Sequence, residues 1–250
     1  MKKILALVLA LAMVLSLAAC SSKPAESAAP TDAPAESAEA PAESAEAPAD
    51  NAEPSVINVC LASEPDTIDP ALNSAVDGAT LTAHLFSGLA KWAQDENGNL
   101  EIVADAATEL PEGVTNEDGT VTYTYTLRDG MTWSDGQPVT AGDFAFAWKR
   151  AASPALAADY GYMFEVVDGY ADVWATDDAG NYVNPDAELN VVALDDKTLQ
   201  VTLSNAVAYW NELLAFPAYF PVREDVVANE AWATDPSTYV CNGPYTMAAW

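Results

Sequence analysis

The spacing of hydrophobic and polar positions changes several times along the chain, and each change marks an element. Ser55–Ala62 (SVINVCLA) is β-branched and partly alternating, which predicts a strand. Ser63–Pro70 carries Pro65, Pro70 and the acids Glu64, Asp66 and Asp69, which predicts a loop. From Ala79 to Leu89 the period becomes helical, with Leu81, Leu85, Phe86 and Leu89 on one side, and Gly88 marks the end. Asp118-Gly119 forms a hairpin-type turn ahead of an alternating run. In that run Val121, Tyr123, Tyr125 and Leu127 share one face, while Thr122, Thr124, Thr126 and Arg128 share the other.

The following residues read as punctuation and then a helix. Arg128-Asp129-Gly130 and Ser134-Asp135-Gly136 are turns. Thr140 is placed to cap a helix N-terminus, with Asp143 three residues on completing a capping box. Phe144, Ala147 and Trp148 form an apolar i, i+3, i+4 stripe, and Ser153-Pro154 stops the helix. Tyr160, Tyr162 and Phe164 follow in a segment that reads as a loop. Leu189–Ala193 and Thr198–Leu203 bracket Asp195-Asp196-Lys197 as a strand–turn–strand hairpin. Tyr209–Phe216 and Val226–Trp232 read as short helices. Asn242-Gly243-Pro244-Tyr245 is a turn leading into a strand, Tyr245–Trp250. An apolar strand that stops at Trp250 predicts a chain that continues beyond it.

The N-terminal residues follow different rules. Positive charge at Lys2-Lys3, an apolar run from Ile4 to Leu17, and small residues before Cys20 predict a secretory signal over residues 1–19. That run is shorter than the ~20 apolar residues a spanning helix needs. Leu17-Ala18-Ala19-Cys20 looks like a bacterial lipobox, which implies cleavage before Cys20 and lipidation of that residue. Residues 20–54 carry the repeat Ala33–Glu39, Ala40–Glu46 and the start of a third copy at Ala47. Ala, Pro, Glu and Ser offer no apolar surface to offset ordering entropy, so this stretch is expected to be an extended, acidic tether.

Composition narrows the classes of function. The chain has 38 Asp and Glu against 9 Lys and Arg, net −29. That balance argues against nucleic acid as a partner. There is one histidine, His84, and no closely spaced Cys or His set, so no metal cluster is expected. Cys60 and Cys241 are the remaining cysteines, which in an exported protein suggests one disulfide, with two buried thiols as the alternative. Glu64, Asp66, Asp69, Asp135 and Asp143 would suit a glycosidase only as a pair at fixed separation, and their turn and cap positions give them backbone roles instead. Trp133, Trp148, Tyr160, Tyr162 and Trp174 are candidates for a cleft lining. Helix spacing sends Trp148 to a core, and Tyr160 is the better site candidate.

Leu127–Arg150 (LRDGMTWSDGQPVTAGDFAFAWKR) closely resembles the signature of the family 5 extracellular solute-binding proteins, the peptide-binding lipoproteins of ABC importers. Ser63–Pro70, His84–Leu89, Ser153-Pro154 with Tyr160, Asp195–Leu199 and Asn242–Tyr245 extend the resemblance in the family's order. The resemblance implies an α/β, periplasmic-binding-protein-like fold (type II, cluster C) with two lobes, of which this chain carries the first and a small inserted domain. Residues 55–86 would be the first piece of domain I, 87–188 the inserted domain, and 189–250 the second piece of domain I. It further implies peptide contacts at the loop Asn73–Asp77, including Ser74 and Val76, and at Tyr160 and Asn242. Ser74 stands where some oligopeptide binders carry an acid. The same resemblance makes a Cys60–Cys241 disulfide plausible as a staple between the two domain I pieces.

The function implied is non-enzymatic. It is a monomeric, cofactor-free lipoprotein on the extracytoplasmic face of the cell membrane that delivers peptides to an ABC permease. The alternatives are another solute on the same fold (nickel, haem or an oligosaccharide) or an exported hydrolase.

Overall fold

The computed structural model describes residues 56–61 and 63–250. The signal, the lipobox cysteine and the tether expected over 1–54 lie outside the described residues, as does Ser55. The elements run in chain order as α1 (Val76–Leu85), β1 (Ala90–Gln94), β2 (Leu100–Ala104), β3 (Val114–Thr115), β4 (Val121–Thr126), α2 (Ala141–Ala152), α3 (Tyr170–Val173), β5 (Val191–Ala193), β6 (Thr198–Leu203), α4 (Trp210–Leu214) and α5 (Glu224–Val227). Short 3₁₀ turns occupy Gly161–Val166 and Pro217–Tyr219. No helix among the described residues is long and apolar enough to cross a membrane.

The alternating run forms β4 with the expected faces. Val121, Tyr125 and Leu127 are buried, and Thr124, Thr126 and Arg128 are exposed. β4 is the hub of a four-stranded antiparallel sheet ordered β3-β4-β6-β5. Its register with β6 sets Tyr123 against Val201 and Tyr125 against Leu199. This sheet takes β3 and β4 from before Glu188 and β5 and β6 from after it, so strand pairing crosses the boundary drawn there from the sequence. β1 and β2 form a separate antiparallel pair around the Asp95–Asn99 turn.

Helix α2 covers the apolar face of the large sheet and packs on β5 and β6. Its N-terminus carries the expected capping box. The Thr140 side chain accepts from Asp143 N, and the Asp143 carboxylate accepts from Thr140 N (2.8 Å). Phe144, Ala147 and Trp148 are buried as their spacing requires. Trp148 stands edge-on to Trp210 and Tyr219, and Phe164 stacks on Tyr219 at 4.2 Å. Every polar handle in this cluster is used. Trp148 Nε1 donates to Tyr219 O, Trp210 Nε1 to Tyr125 Oη, and Tyr219 Oη to Met163 O, each at 2.8 Å. Burying rings of this size is worth about 4–6 kcal/mol of transfer free energy each, before conformational entropy is subtracted.

Five sequence expectations are corrected. Residues 57–61 form no strand, and Ile57 and Val59 are exposed, because no strand among the described residues lies beside them to pair. Tyr245–Trp250 likewise lacks a ladder. The first helix starts at Val76 and ends at Leu85, not Leu89. Gly88 and Leu89 are drawn toward the β1–β2 pair, where Gly88 O accepts from Ala106 N and Leu89 O from Asp105 N (both 2.9 Å). The helix expected over Val226–Trp232 is instead the single turn Glu224–Val227, followed by an Asx turn in which Asn229 Oδ1 accepts from Ala231 N. The Tyr160–Phe164 segment is a 3₁₀ turn, not an irregular loop.

A buried ion pair ties the N-terminal loop to this core. Arg150, in the last turn of α2, donates from Nη1 to Asp69 Oδ1 (3.2 Å) and from Nη2 to Asp69 Oδ2 (2.7 Å). Asp69 is 2% exposed. The same carboxylate accepts from Ala71 N (2.9 Å), and the Asp69 carbonyl accepts from Leu72 N and Asn73 N. One residue thus fixes both the loop's curvature and its attachment.

Removing one partner of such a pair strands a buried charge. Arg150→Ala is expected to destabilise the protein by about 3–5 kcal/mol in a urea melt, and a loss below about 1 kcal/mol would contradict the role given to the pair. Asp143 supplies a pH test. Burial pushes its carboxyl above the ordinary value of 3.8, against the pull of its hydrogen bonds from Thr140 and Trp133. The folded state therefore holds this proton more tightly than the unfolded chain, and Asp143's contribution to stability falls as pH rises through 3.8 and past the raised value. Asp143→Asn keeps an acceptor and cannot ionise, so its stability relative to wild type should improve across that rise. A gap between the two that stays constant with pH would refute this.

Candidate functional site

The loop held by Asp69 runs directly into the residues singled out from sequence. Asn73 is buried and shapes the turn at Ser74. Its Nδ2 donates to Ala75 O (3.1 Å), and its Oδ1 accepts from Ala75 N (3.4 Å). Gly78 is required beneath it, since a Cβ there would sit 2.0 Å from Asn73 Oδ1 and 2.7 Å from Thr67 O. With Asn73 turned inward, Ser74 is exposed and Val76 is 85% exposed.

Tyr160 closes the other side. Ser153-Pro154 ends α2, the chain turns, and Tyr160 arrives half-buried, edge-on to Phe216 at 5.0 Å. Asn73, Ser74, Ala75, Val76, Ala79, Tyr160, Phe216 and Pro217 line one pocket of about 160 Å³. Three of the four ligand residues expected from sequence, Ser74, Val76 and Tyr160, therefore meet at one place. Sequence reading missed Phe216, which it absorbed into a short apolar helix, and Pro217 just after it. The available signal was Pro217 itself, because a residue before proline avoids the helical region. Phe216 is extended (φ −88°, ψ 140°), which carries its ring out to Tyr160.

The fourth, Asn242, does not join them. Its Oδ1 accepts from Ser87 N and its Nδ2 donates to Ser87 O, both at 3.0 Å. Both ends of the amide are committed to one backbone residue, in the manner of a strand partner. Gly243 N donates to Leu85 O, and a Cβ on Gly243 would lie 2.5 Å from Leu85 C. Asn242 and Gly243 thus clip the chain to the end of α1. Asn242 lines a different hollow of about 530 Å³, beside Phe86, Lys91, Trp92, Asp105, Arg128 and Phe220.

The other candidates are dispersed. Trp133 and Trp148 are core residues. Trp174 donates to Ala152 O and stacks with Tyr170. Tyr162 is exposed beside Tyr160. Asp69 is paired with Arg150, Asp135 with Arg223, and Asp143 with the cap of α2. No group of three or more His, Cys, Asp or Glu among the described residues is arranged to hold a metal ion. The expected Cys60–Cys241 bridge is not formed. Cys60 is exposed on a stretch with no sheet to seat it, while Cys241 is buried and burial pushes its thiol up. Cys241 Sγ donates to Tyr245 O, and Cys241 N to Ser134 Oγ.

The committed amide of Asn242 makes a stability prediction. Asn242→Ala leaves the nearly buried Ser87 N–H and C=O without their partner and should lower stability by about 2–4 kcal/mol in denaturant. A loss within about 0.5 kcal/mol would show the clip to be dispensable.

Comparison with known proteins places the chain in a family. Residues 101–250 match the family model described as "Bacterial extracellular solute-binding proteins, family 5 Middle". Oligopeptide-binding protein OppA of Bacillus subtilis (strain 168) is 35% identical over 199 residues, covering 78% of this chain and 34% of that protein. The probable deoxycholate-binding periplasmic protein YgiS of Escherichia coli (strain K12) is also 35% identical over 199 residues, covering 75% of this chain and 33% of that protein. Among solved structures, Listeria monocytogenes OppA bound to peptide superposes with TM-score 0.60 at 34% identity, over 74% of this chain and 34% of that one. The chain spans about a third of the length of the curated relatives it matches. Its mixed helix-and-sheet fold corresponds to part of the OppA-type binding-protein fold. The family model spans more than half of the chain and the relatives agree with it, and the chain belongs to the family 5 bacterial extracellular solute-binding proteins.

Proposed function

We propose that this protein binds peptides through the pocket at Ser74, Val76 and Tyr160, as the receptor subunit of an ABC importer. The observation that carries the reading is that pocket itself. It presents an exposed aliphatic side chain, a tyrosine edge-on to Phe216, and backbone that curves around a buried asparagine. An extended peptide against such a wall is held through its backbone in the way an added strand is, with side chains seated on the aromatic and aliphatic surfaces. The relatives point the same way, since one is named for oligopeptide binding and one solved structure holds a peptide.

Delivery to a permease, a two-lobed clamp around the ligand and a monomeric state belong to the same proposal. So do lipid attachment at Cys20, with the acidic 20–54 stretch as tether, and a location on the extracytoplasmic face of the membrane. The reading is of a binder rather than a catalyst, because the candidate acids serve caps, turns and ion pairs.

Titration calorimetry of the full protein against a mixed peptide library tests this. Heat of binding is expected with peptides. Tyr160→Ala should weaken that binding about tenfold through loss of the aromatic contact, with the melting temperature held within a few degrees because Tyr160 is only half-buried. Heat with a metal ion, a bile acid or a sugar and none with any peptide would overturn the proposal.

A further inference from the structure

The sequence holds two Asn-Gly pairs, Asn97-Gly98 and Asn242-Gly243. Such a pair carries its own reaction. The backbone nitrogen of the glycine attacks Cγ of the asparagine side chain, and a five-membered succinimide closes. Nδ2 leaves as ammonia, taking the proton that the backbone nitrogen gives up. Water then opens the ring at either carbonyl and leaves aspartate or isoaspartate. No oxidant, metal or enzyme takes part. Glycine permits the attack most readily, because no Cβ stands beside the nitrogen. In a folded protein the rate turns on whether the amide can swing toward the backbone and whether the ring has room.

The two pairs differ in both respects. Asn97 and Gly98 are exposed, in the turn between β1 and β2. That turn is built on Asp95, whose Oδ1 accepts from Asn97 N (2.8 Å) and Asn99 N (2.7 Å) and whose Oδ2 accepts from Asn99 Nδ2 (2.9 Å). The Asn97 amide is held far less firmly. Its Nδ2 reaches Asp95 Oδ2 only at 3.4 Å, at the limit of a hydrogen bond. The nitrogen that would attack, Gly98 N, donates to Asp95 O (3.0 Å) at the open tip of the hairpin. Gly98 has a left-handed φ of 84°, and no atom lies within 4 Å of the place a Cβ would take. The ring therefore has open space, and a swing of the amide gives up one weak contact.

Asn242-Gly243 is the reverse case. The carbonyl oxygen of the Asn242 amide accepts from Ser87 N and its Nδ2 donates to Ser87 O, both at 3.0 Å, so the amide carbon is held on Ser87 and is not free to turn back on its own chain. The nitrogen that would attack, Gly243 N, donates to Leu85 O at 2.8 Å. The space is filled as well, since Leu85 C, Leu85 O and Phe86 N lie 2.5, 2.6 and 2.6 Å from the place of a Cβ on Gly243. Closing the ring here requires the segment to leave the end of α1 and all three hydrogen bonds to open together. The bonds that make Asn242 a clip also withhold it from the reaction.

We propose that Asn97-Gly98 is where this protein deamidates spontaneously, and that the clip shields Asn242-Gly243 from the same reaction. The test is prolonged incubation of the full protein in mildly alkaline buffer, followed by proteolysis and peptide mass mapping. Deamidation is read as the mass difference between a hydroxyl and an amino group, and isoaspartate is separated from aspartate by chromatography. The folded protein is expected to convert at Asn97 about a hundredfold faster than at Asn242, because the clip must open first. In concentrated urea the two positions should convert within about threefold of each other, since no clip remains. Asn97→Gln, whose longer side chain would need a six-membered ring, should abolish conversion at that position and leave Asn242 shielded. Thermal melts before and after incubation verify that the chain stays folded. Conversion of folded protein at Asn242 as fast as at Asn97 overturns the inference. So does an Asn97 that stays intact over a time in which urea converts it, or a faster conversion at any other asparagine.

Discussion

The pairing of Asp69 with Arg150 is the constraint on which the candidate site depends. The carboxylate leaves water almost completely and the guanidinium leaves most of it, and the fork of the guanidinium on the carboxylate is the compensation. The consequence is positional. Arg150 sits in the last turn of α2, just before the chain turns toward Tyr160, while Asp69 sits just before the loop that carries Ser74 and Val76. Joining the two brings opposite walls of one pocket into register. The core beneath makes this possible, because α2 itself is held against the sheet by Trp148 and its aromatic neighbours.

A similar economy holds at the far end of α1. Asn242 gives both ends of its amide to Ser87, and Gly243 lies so close to Leu85 that no side chain fits. Together they fix where the helix ends and where the β1–β2 pair begins, and hence where Lys91 and Asp105 stand. Asn242, which sequence resemblance assigns to the ligand, thus also clips the backbone and positions charged neighbours. One N–H and the carbonyl oxygen of its amide bond Ser87, and the second N–H of the same amide is left over.

Much of the local structure was legible in the sequence because it is decided by near neighbours. The β4 faces, the Asp118-Gly119 turn, the Thr140–Asp143 capping box and the stop at Ser153-Pro154 depend on residues within a few positions of one another. The errors have a common cause. Residues 57–61 and Tyr245–Trp250 have strand composition, yet a strand exists only with a partner, and none lies beside them among the described residues. The helix expected to reach Leu89 ends at Leu85 because Gly88 and Leu89 find bonds across to Asp105 and Ala106, far enough away in sequence that no periodicity carries the information.

The sequence by itself determined most of the elements, the polarity of their faces, the punctuation between them and, through its motifs, the family. Only the tertiary structure decided what those elements meet. It showed that Asp69 belongs to Arg150, that Phe216 stands against Tyr160, that Asn242 serves Ser87, and that Lys91 and Arg128 share a single covered carboxylate. The physical reason is range. Propensity, capping and turn chemistry act over one to four residues, whereas these partners lie tens to more than a hundred and fifty residues apart, and packing alone selects them.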